Sequence, residues 1–565
     1  MAPFSSEQHL HAPEPRASPA DSLKTDEKMD GQLSRVQSGH HDAEKGADDR
    51  APHHNTNLKI RFSPLNMALI CFMIMCTAPA WAGTLATALT AGGPVTMVYG
   101  FLAVFVASLC GSASLAEMVS IWPTAEGQIL WAEQLAPLRC RSFIRYYVAW
   151  LAVLAWIFIS ASSCFVTAIS ITAIANACNP DYLPERWHTC LIFWALILVA
   201  LAFNIYGIRF FAALNNIVTA VVISAVVVTV ILLLAKHEGG FNSASFVFTE
   251  EIDGTGWNNR GMAFIIGMVS AAYSILGYDS VAHLSEEMHE PARYAPRAMI
   301  GSVLMSLPTG LLIILAVLFT IKDIDVIAQQ LFPILYILQQ TTKSTAGAVV
   351  LTFALSTFSS FCATTSILAT SGRVIWSFAL EGGIPFSSVF ARVSSKHHVP
   401  IAALCVSVAV QMLLVLIYIG NAALFNSILV LAVAHLNISY AIPNALMLFR
   451  GRPSGTLPLA PFTLGPILGP LCNVVAVLYE VFISIMLFFP TVRPVTPSNM
   501  NWAVAICGGA HLVLGVYWFC GGKTRVHSAR NEHDAAEGAQ RELDERKRAG
   551  GMGSVRRVIT GEVDK

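Results

Sequence analysis

Hydrophobic positions in this chain neither alternate nor trace one amphipathic stripe; they gather into twelve runs long enough to cross a bilayer, separated by short polar segments. The runs cover approximately 65–89, 95–121, 143–175, 189–208, 210–235, 261–284, 299–321, 345–378, 400–419, 422–449, 466–489 and 502–519. Lipid cannot satisfy main-chain N–H and C=O groups, so such runs predict helices and an all-α polytopic membrane protein with twelve transmembrane helices.

Two runs are interrupted at corresponding points, TAPAWAG at 77–83 in the first and SILGYDS at 274–280 in the sixth. Pro79 has no N–H and clashes with the preceding turn, which predicts a break over Pro79, Ala80, Trp81, Ala82 and Gly83. Gly277 marks the matching break in the sixth run. Breaks at membrane depth persist where they face a cavity and hold a solute, so the pair points to a transporter. They sit five helices apart with opposite orientation, the spacing of two inverted five-helix repeats at about 65–235 and 261–449. The runs at 466–489 and 502–519 are then peripheral helices.

In this arrangement the outer half-helix, starting near Ala82 to Leu85, offers free N–H groups to a substrate carboxylate. Carbonyls released around Ser274 to Gly277 accept from an ammonium. Trp81, Tyr273 and Tyr278 flank the breaks, either as walls for an amine or as ordinary helix packing.

Composition supports the membrane assignment, at 55% hydrophobic residues and a mean hydropathy of +0.60. Charge is balanced at 35 basic and 35 acidic residues, which gives no reason to expect nucleic acid. About half of the charges lie in 1–62 and 521–565, two polar tails flanking a transporter domain at 63–520. The N-terminal tail has too little apolar area to order itself and contains no removable signal peptide. Arginines of the short loops, among them Arg139, Arg141, Arg145, Arg373, Arg450 and Arg452, concentrate on one side, which places both termini in the cytosol. Most of the twelve cysteines lie in apolar runs, where they pack as small hydrophobes; Cys178 and Cys190 bracket an outer loop and either pair or stay free.

Asp279 is the sharpest single residue, because a carboxylate within an apolar span costs at least ~2.5 kcal/mol and marks ion or proton paths. His283 lies four residues on, and Glu286 and Glu287 seven and eight, so a regular half-helix places all four near one face as a proton-responsive line. The alternative for Glu286 and Glu287 is an inner gate with Arg293, Arg297 or Arg373. The string HLSEEMH matches no zinc-protease pattern, and no metal site or cofactor is expected. Glu117 closes the second span beside basic loops, and Glu480 stands in the eleventh without an evident partner.

Several signatures occur in order: GGP at 92–94, SLAEMVSIWPTAEGQILWAEQLAP after the second span, GYDSVAHLSEEMHEPARYAPRAM after the sixth, SGRVIWSFALEGGIPFS after the eighth, and FFPTVRPVTPSNMNW after the eleventh. Together they resemble the amino acid-polyamine-organocation superfamily, and within it the fungal amino acid, GABA and choline permeases, over about residues 60–525. The resemblance implies a LeuT-like fold, two inverted five-helix repeats plus two peripheral helices, with a solute site between the first and sixth helices. It implies a small amine or amino acid substrate, a plasma-membrane location and coupling to protons rather than sodium. Ser359, Ser360 and Thr364 correspond by resemblance to ion-ligating hydroxyls, or serve close helix packing. Two departures stand out: Pro79 to Gly83 replaces the family's small Gly-x-Gly break, and Leu380-Glu381 replaces a common Arg-Asp.

Two other functions fit less of the chain. A nutrient receptor would keep the binding site without turnover. An integral membrane enzyme would need a nucleophile-base constellation or a phosphate-cradling loop, and the loops contain neither.

Overall fold

Helix ends in this protein are set by local chemistry as much as by the apolar runs. The computed structural model describes residues 62–523 apart from 422, 456 and 498, with only the backbone of Leu424 and Phe425. Apart from their inner edges, the two expected tails lie outside the described residues.

The first span is two helices, α1 (Pro64–Met75) and α2 (Thr77–Thr90). Ser63 opens α1, its hydroxyl accepting from the Asn66 N–H, and Pro64 occupies the first turn, where a missing donor is harmless. Then come α3 (Gly93–Ile121), a short α4 (Gln128–Leu135), α5 (Arg141–Cys178), α6 (Arg186–Tyr206) and α7 (Ile208–Lys236). The sixth span is split into α8 (Arg260–Ser274) and the single turn α9 (Ser280–His283). The remainder comprises α10 (Pro291–Thr320), α11 (Thr345–Leu380), α12 (Ile401–Gly420), α13 (Asn426–Ser454), α14 (Gly465–Met486) and α15 (Ala503–Gly522).

Among the described residues, eleven helices, counting the first span as one, have the length and composition to cross a membrane. The sixth run is not among them, since the 15 residues of α8 reach only ~22 Å against a hydrocarbon core of ~30 Å. The seventh run begins at Pro291, eight residues before its apolar stretch, because proline at the first helical position starts a helix regardless of the polar turn that follows.

The 38-residue α5 forms the central pillar, packed against α11 and α13. Around it, α10 packs on α1 and α3, α2 on α8, and α14 on α3 and α13. Close approach is bought by missing side chains: a Cβ at Gly310 would lie 2.4 Å from the Phe101 ring. Helix α15 is outermost, with Leu512, Val513, Val516 and Phe519 exposed, as a lipid-facing surface requires.

Two main-chain bridges tie the broken spans together at opposite ends. At the Arg-rich end Phe62 pairs with Met288, and the Phe62 N–H donates to the Glu287 carbonyl at 3.0 Å. At the other end Ala91 pairs with Asp253, flanked by Gly92 N–H to the Ile252 carbonyl at 2.8 Å. The Thr255 hydroxyl and N–H bond Asp253 and hold its carboxyl below the usual carboxylate range. Cys178 and Cys190 are both free thiols; Cys178 is exposed and Cys190 is buried in α6.

Candidate functional site

The break in the first span falls at Cys76, three residues before the proline that predicted it. Cys76 adopts a left-handed conformation at φ 49°, ends α1 by donating to the Phe72 carbonyl, and starts α2 by accepting from the Ala80 N–H. Pro79 therefore sits at the third position of α2, inside the first turn, where its missing N–H has no partner to lose. Ala80, Trp81, Ala82 and Gly83 are regular helix. The N-terminus with free donors is thus at Thr77 and Ala78, one turn earlier than expected at Ala82 to Leu85.

The sixth span unwinds where expected. α8 ends at Ser274, Gly277 takes φ +92°, and helix resumes at Ser280. A side chain at Gly277 would be strained by that φ and would press Ile74 at 3.2 Å.

Both interruptions open on one small cavity, lined by Cys76 and Ala80 from the first span, Tyr273 and Leu276 from the sixth, Ser163 from α5 and Ser360 from α11, with aliphatic side chains between them. The Tyr273 hydroxyl is 2.9 Å from Ser162 Oγ. Ser163, Ser360 and Thr364 form a cluster in which Thr364 Oγ1 donates to the Ser360 carbonyl at 2.8 Å and Ser163 Oγ to the same carbonyl at 3.2 Å. Of the expected substrate residues, Ala80 and Tyr273 line this cavity. Pro79, Trp81, Ala82, Gly83, Ser274, Gly277 and Tyr278 do not; Gly83 backs onto Val166, and the Tyr278 ring lies tilted against Tyr440 at 4.9 Å. Ser359 bonds the Ala354 carbonyl at 2.7 Å and is likewise outside it. A second small cavity lies towards the end away from the arginines, between Thr84, Thr87, Val269, Val430 and Thr491.

Beside the sixth break, Asp279 is fully buried, accepts from two groups and lies against a third. Tyr440 donates to Oδ1; Gln128 Nε2 donates to Oδ2 at 3.0 Å, and His283 Nε2 lies 3.2 Å from the same oxygen. His283 Nδ1 is 2.7 Å from the Ala125 carbonyl, which can only accept, so Nδ1 carries a proton. Gly127, at φ +56°, lets this loop lie against the imidazole, since a Cβ there would be 3.1 Å from His283 Cε1.

The regular line from Asp279 to Glu287 is not formed. After one turn the chain passes into a 3-10 turn at Ser285–Glu287, which splits the two glutamates. Glu286 accepts from the Ala125 N–H at 3.3 Å. Glu287 meets Arg373, whose Nε donates to Oε1 at 2.7 Å, both side chains being buried. Arg293 is not in this gate: it is half-exposed, 3.6 Å from Glu290 and over the Tyr294 ring.

Four features had no role assigned from sequence. Gln128 belongs to the AEGQ signature, whose buried amide was the available sign; Tyr440 lies in an apolar run with nothing to distinguish it. Arg145 meets three carboxylates, Glu126 at 2.8 Å together with Glu133 and Glu381, so the departure at Glu381 is part of an ion cluster. Glu480 accepts from Asn444 Nδ2 at 3.0 and 3.1 Å, and a bonded row runs from Asn444 through Ser114 and Asn473 to Arg452 and Glu117.

A bundle of membrane helices with two broken spans meeting at a buried cavity defines a secondary transporter of small molecules. The chain belongs to the amino acid permease family, whose model matches residues 65–510. It is 32% identical to a choline transporter of Saccharomyces cerevisiae over 81% of each chain. It is 28% identical to a GABA-specific permease of the same yeast over 82% of this chain and 81% of that one. A swainsonine transporter of Arthroderma benhamiae is 27% identical over 82% of this chain and 92% of its own. These relatives are carriers, and the chain is a transporter rather than an enzyme.

Proposed function

We propose that this protein moves a small amine-bearing solute, an amino acid, GABA or choline, across the plasma membrane in symport with protons, with both termini in the cytosol. The observation that carries the reading is the cavity shared by the two interruptions, lined by Cys76 and Ala80 from one and Tyr273 and Leu276 from the other. First-turn N–H groups of Thr77 and Ala78 suit a carboxylate. The last carbonyls of α8 and the Tyr273 ring suit an ammonium or quaternary amine. The names of the choline and GABA relatives support the same substrate class.

Proton coupling rests on counting hydrogens at Asp279 and His283. With Nδ1 of His283 donating to Ala125, Nε2 and Asp279 Oδ2 can face each other only if one proton lies between them, on either atom. Loss of that proton sets a lone pair against a buried carboxylate and favours rearrangement of the loop that carries both. Tyr440, Gln128, Tyr278, Cys71, Ser280, Glu286 and the Trp156 ring are among the groups around this loop. The Ser163 and Thr364 hydroxyls donate to the Ser360 carbonyl and pack α5 against α11. In this state the Glu287–Arg373 pair closes the cytosolic end, while the second cavity serves as an outer vestibule.

The test is uptake of labelled choline, GABA and neutral amino acids into vesicles containing the purified protein, with an inward proton gradient. Saturable accumulation of one of them that collapses when the gradient is dissipated is expected. Accumulation driven by sodium alone, or transport confined to solutes without an amine, would overturn the proposal.

A further inference from the structure

On the far side of α13 from the coupling pair, three metal-ligating side chains converge where nothing in the transport reading needs them. Cys507 and His511 stand four residues apart on one face of α15, and His435 projects from α13 towards them. One ligand atom from each lies within 4.8 Å of the others, and the two imidazole rings are 5.4 Å apart. His435 is buried, and its Nδ1 is 2.8 Å from the Leu431 carbonyl, so it carries the hydrogen and leaves Nε2 as a lone pair. That Nε2 is a buried nitrogen with no hydrogen-bond partner. A satisfied helix interface does not leave such an acceptor unpaired, whereas a metal ligand requires it. The Leu431 carbonyl bond is the outer contact that fixes the tautomer of a ligating histidine.

We propose that His435, Cys507 and His511 bind copper(I) between α13 and α15. One thiol and two imidazoles with no carboxylate form a soft donor set. Charge decides the ion: as Cys507 binds it loses its Sγ proton to solvent, and one thiolate neutralises one monovalent cation. Zinc in the same place would keep a net positive charge against the Phe158 and Tyr147 rings that flank the two histidines, an apolar setting in which an uncompensated charge is costly. Bonds of ~2.0–2.3 Å put ligand atoms about 3.5–4 Å apart. The cluster therefore closes by about 1 Å, which the half-buried Cys507 and His511 side chains on the outermost helix allow.

The full-length protein, purified in detergent under reducing conditions, would be given one equivalent of copper(I) and challenged with a bathocuproine-type chelator, with zinc and a zinc chelator in parallel. The wild type is expected to keep about one copper per chain and to need roughly tenfold more chelator for its removal than Cys507→Ala or His511→Phe. Copper should raise the unfolding temperature of the wild type and leave that of either variant unchanged. Both substitutions lie on the peripheral helix, and a folded control is given by their retention of solute binding. Equal copper retention by wild type and both variants would assign the metal to other cysteines and overturn the proposal. Retention of zinc in preference to copper would overturn it as well.

Discussion

The two interrupted spans meet at the same cavity but are broken in different ways. The first is dislocated at a single residue, Cys76, with helix on either side; the sixth is unwound over five residues, from Ile275 to Asp279, around Gly277. A point dislocation keeps two rigid rods nearly in register and frees few backbone groups. An unwound stretch frees more of them and can change length, which suits it to the coupling role proposed for Asp279. The difference also shows that proline and the actual break need not coincide, since proline costs nothing within a first turn.

The largest effect is expected at the unwound break. Gly277→Val forces a β-branched side chain into φ +92° and against Ile74, so uptake should fall by at least roughly tenfold while the protein still reaches the membrane. Wild-type uptake by this variant would show that the sixth span does not need its glycine. Next comes the gate. Glu287→Gln leaves the Arg373 guanidinium buried without its carboxylate, a loss of about 3–5 kcal/mol that thermal unfolding in detergent would register, partly restored by adding Arg373→Gln. An additive double variant would mean that the two side chains do not act as a pair.

Asp279→Asn should uncouple rather than inactivate: solute exchange between equal compartments persists, while accumulation against a gradient and its pH dependence disappear. Retained accumulation with an unchanged pH profile would remove Asp279 from coupling. The smallest effect separates the two kinds of break. Pro79→Ala restores an N–H at a position that needs none, so uptake and stability should change by no more than ~0.5 kcal/mol equivalent. Cys76→Gly, by relaxing a left-handed residue, should stabilise by about 1 kcal/mol. A severe loss in Pro79→Ala would return the first break to the proline.

Apolar run length made eleven of the spans legible, because the bilayer imposes a single requirement that composition meets or fails. Gly277 was legible too, since only glycine makes a sharp positive-φ turn cheaply. The position of the first break was not, because Cys76 carries no local sign of its conformation and Pro79 carries a misleading one. Asp279 and His283 announced themselves as ionisable residues in an apolar setting, yet Gln128, Tyr440 and the Ala125 carbonyl, which bond them, come from segments distant in sequence. Glu480 and Arg145 show the same limit: a buried charge is visible in the sequence, but its partners are assembled only by the fold.

The hydrogen bond from Phe62 to the Glu287 carbonyl gives the start of the membrane domain an unusual vantage. The strand that enters the bilayer is stapled to the same residue whose side chain latches onto Arg373, so tension applied to it is delivered straight to the latch. Main-chain and side-chain bonds of Glu287 thus join the start of the first span, the end of the sixth and α11 at one residue.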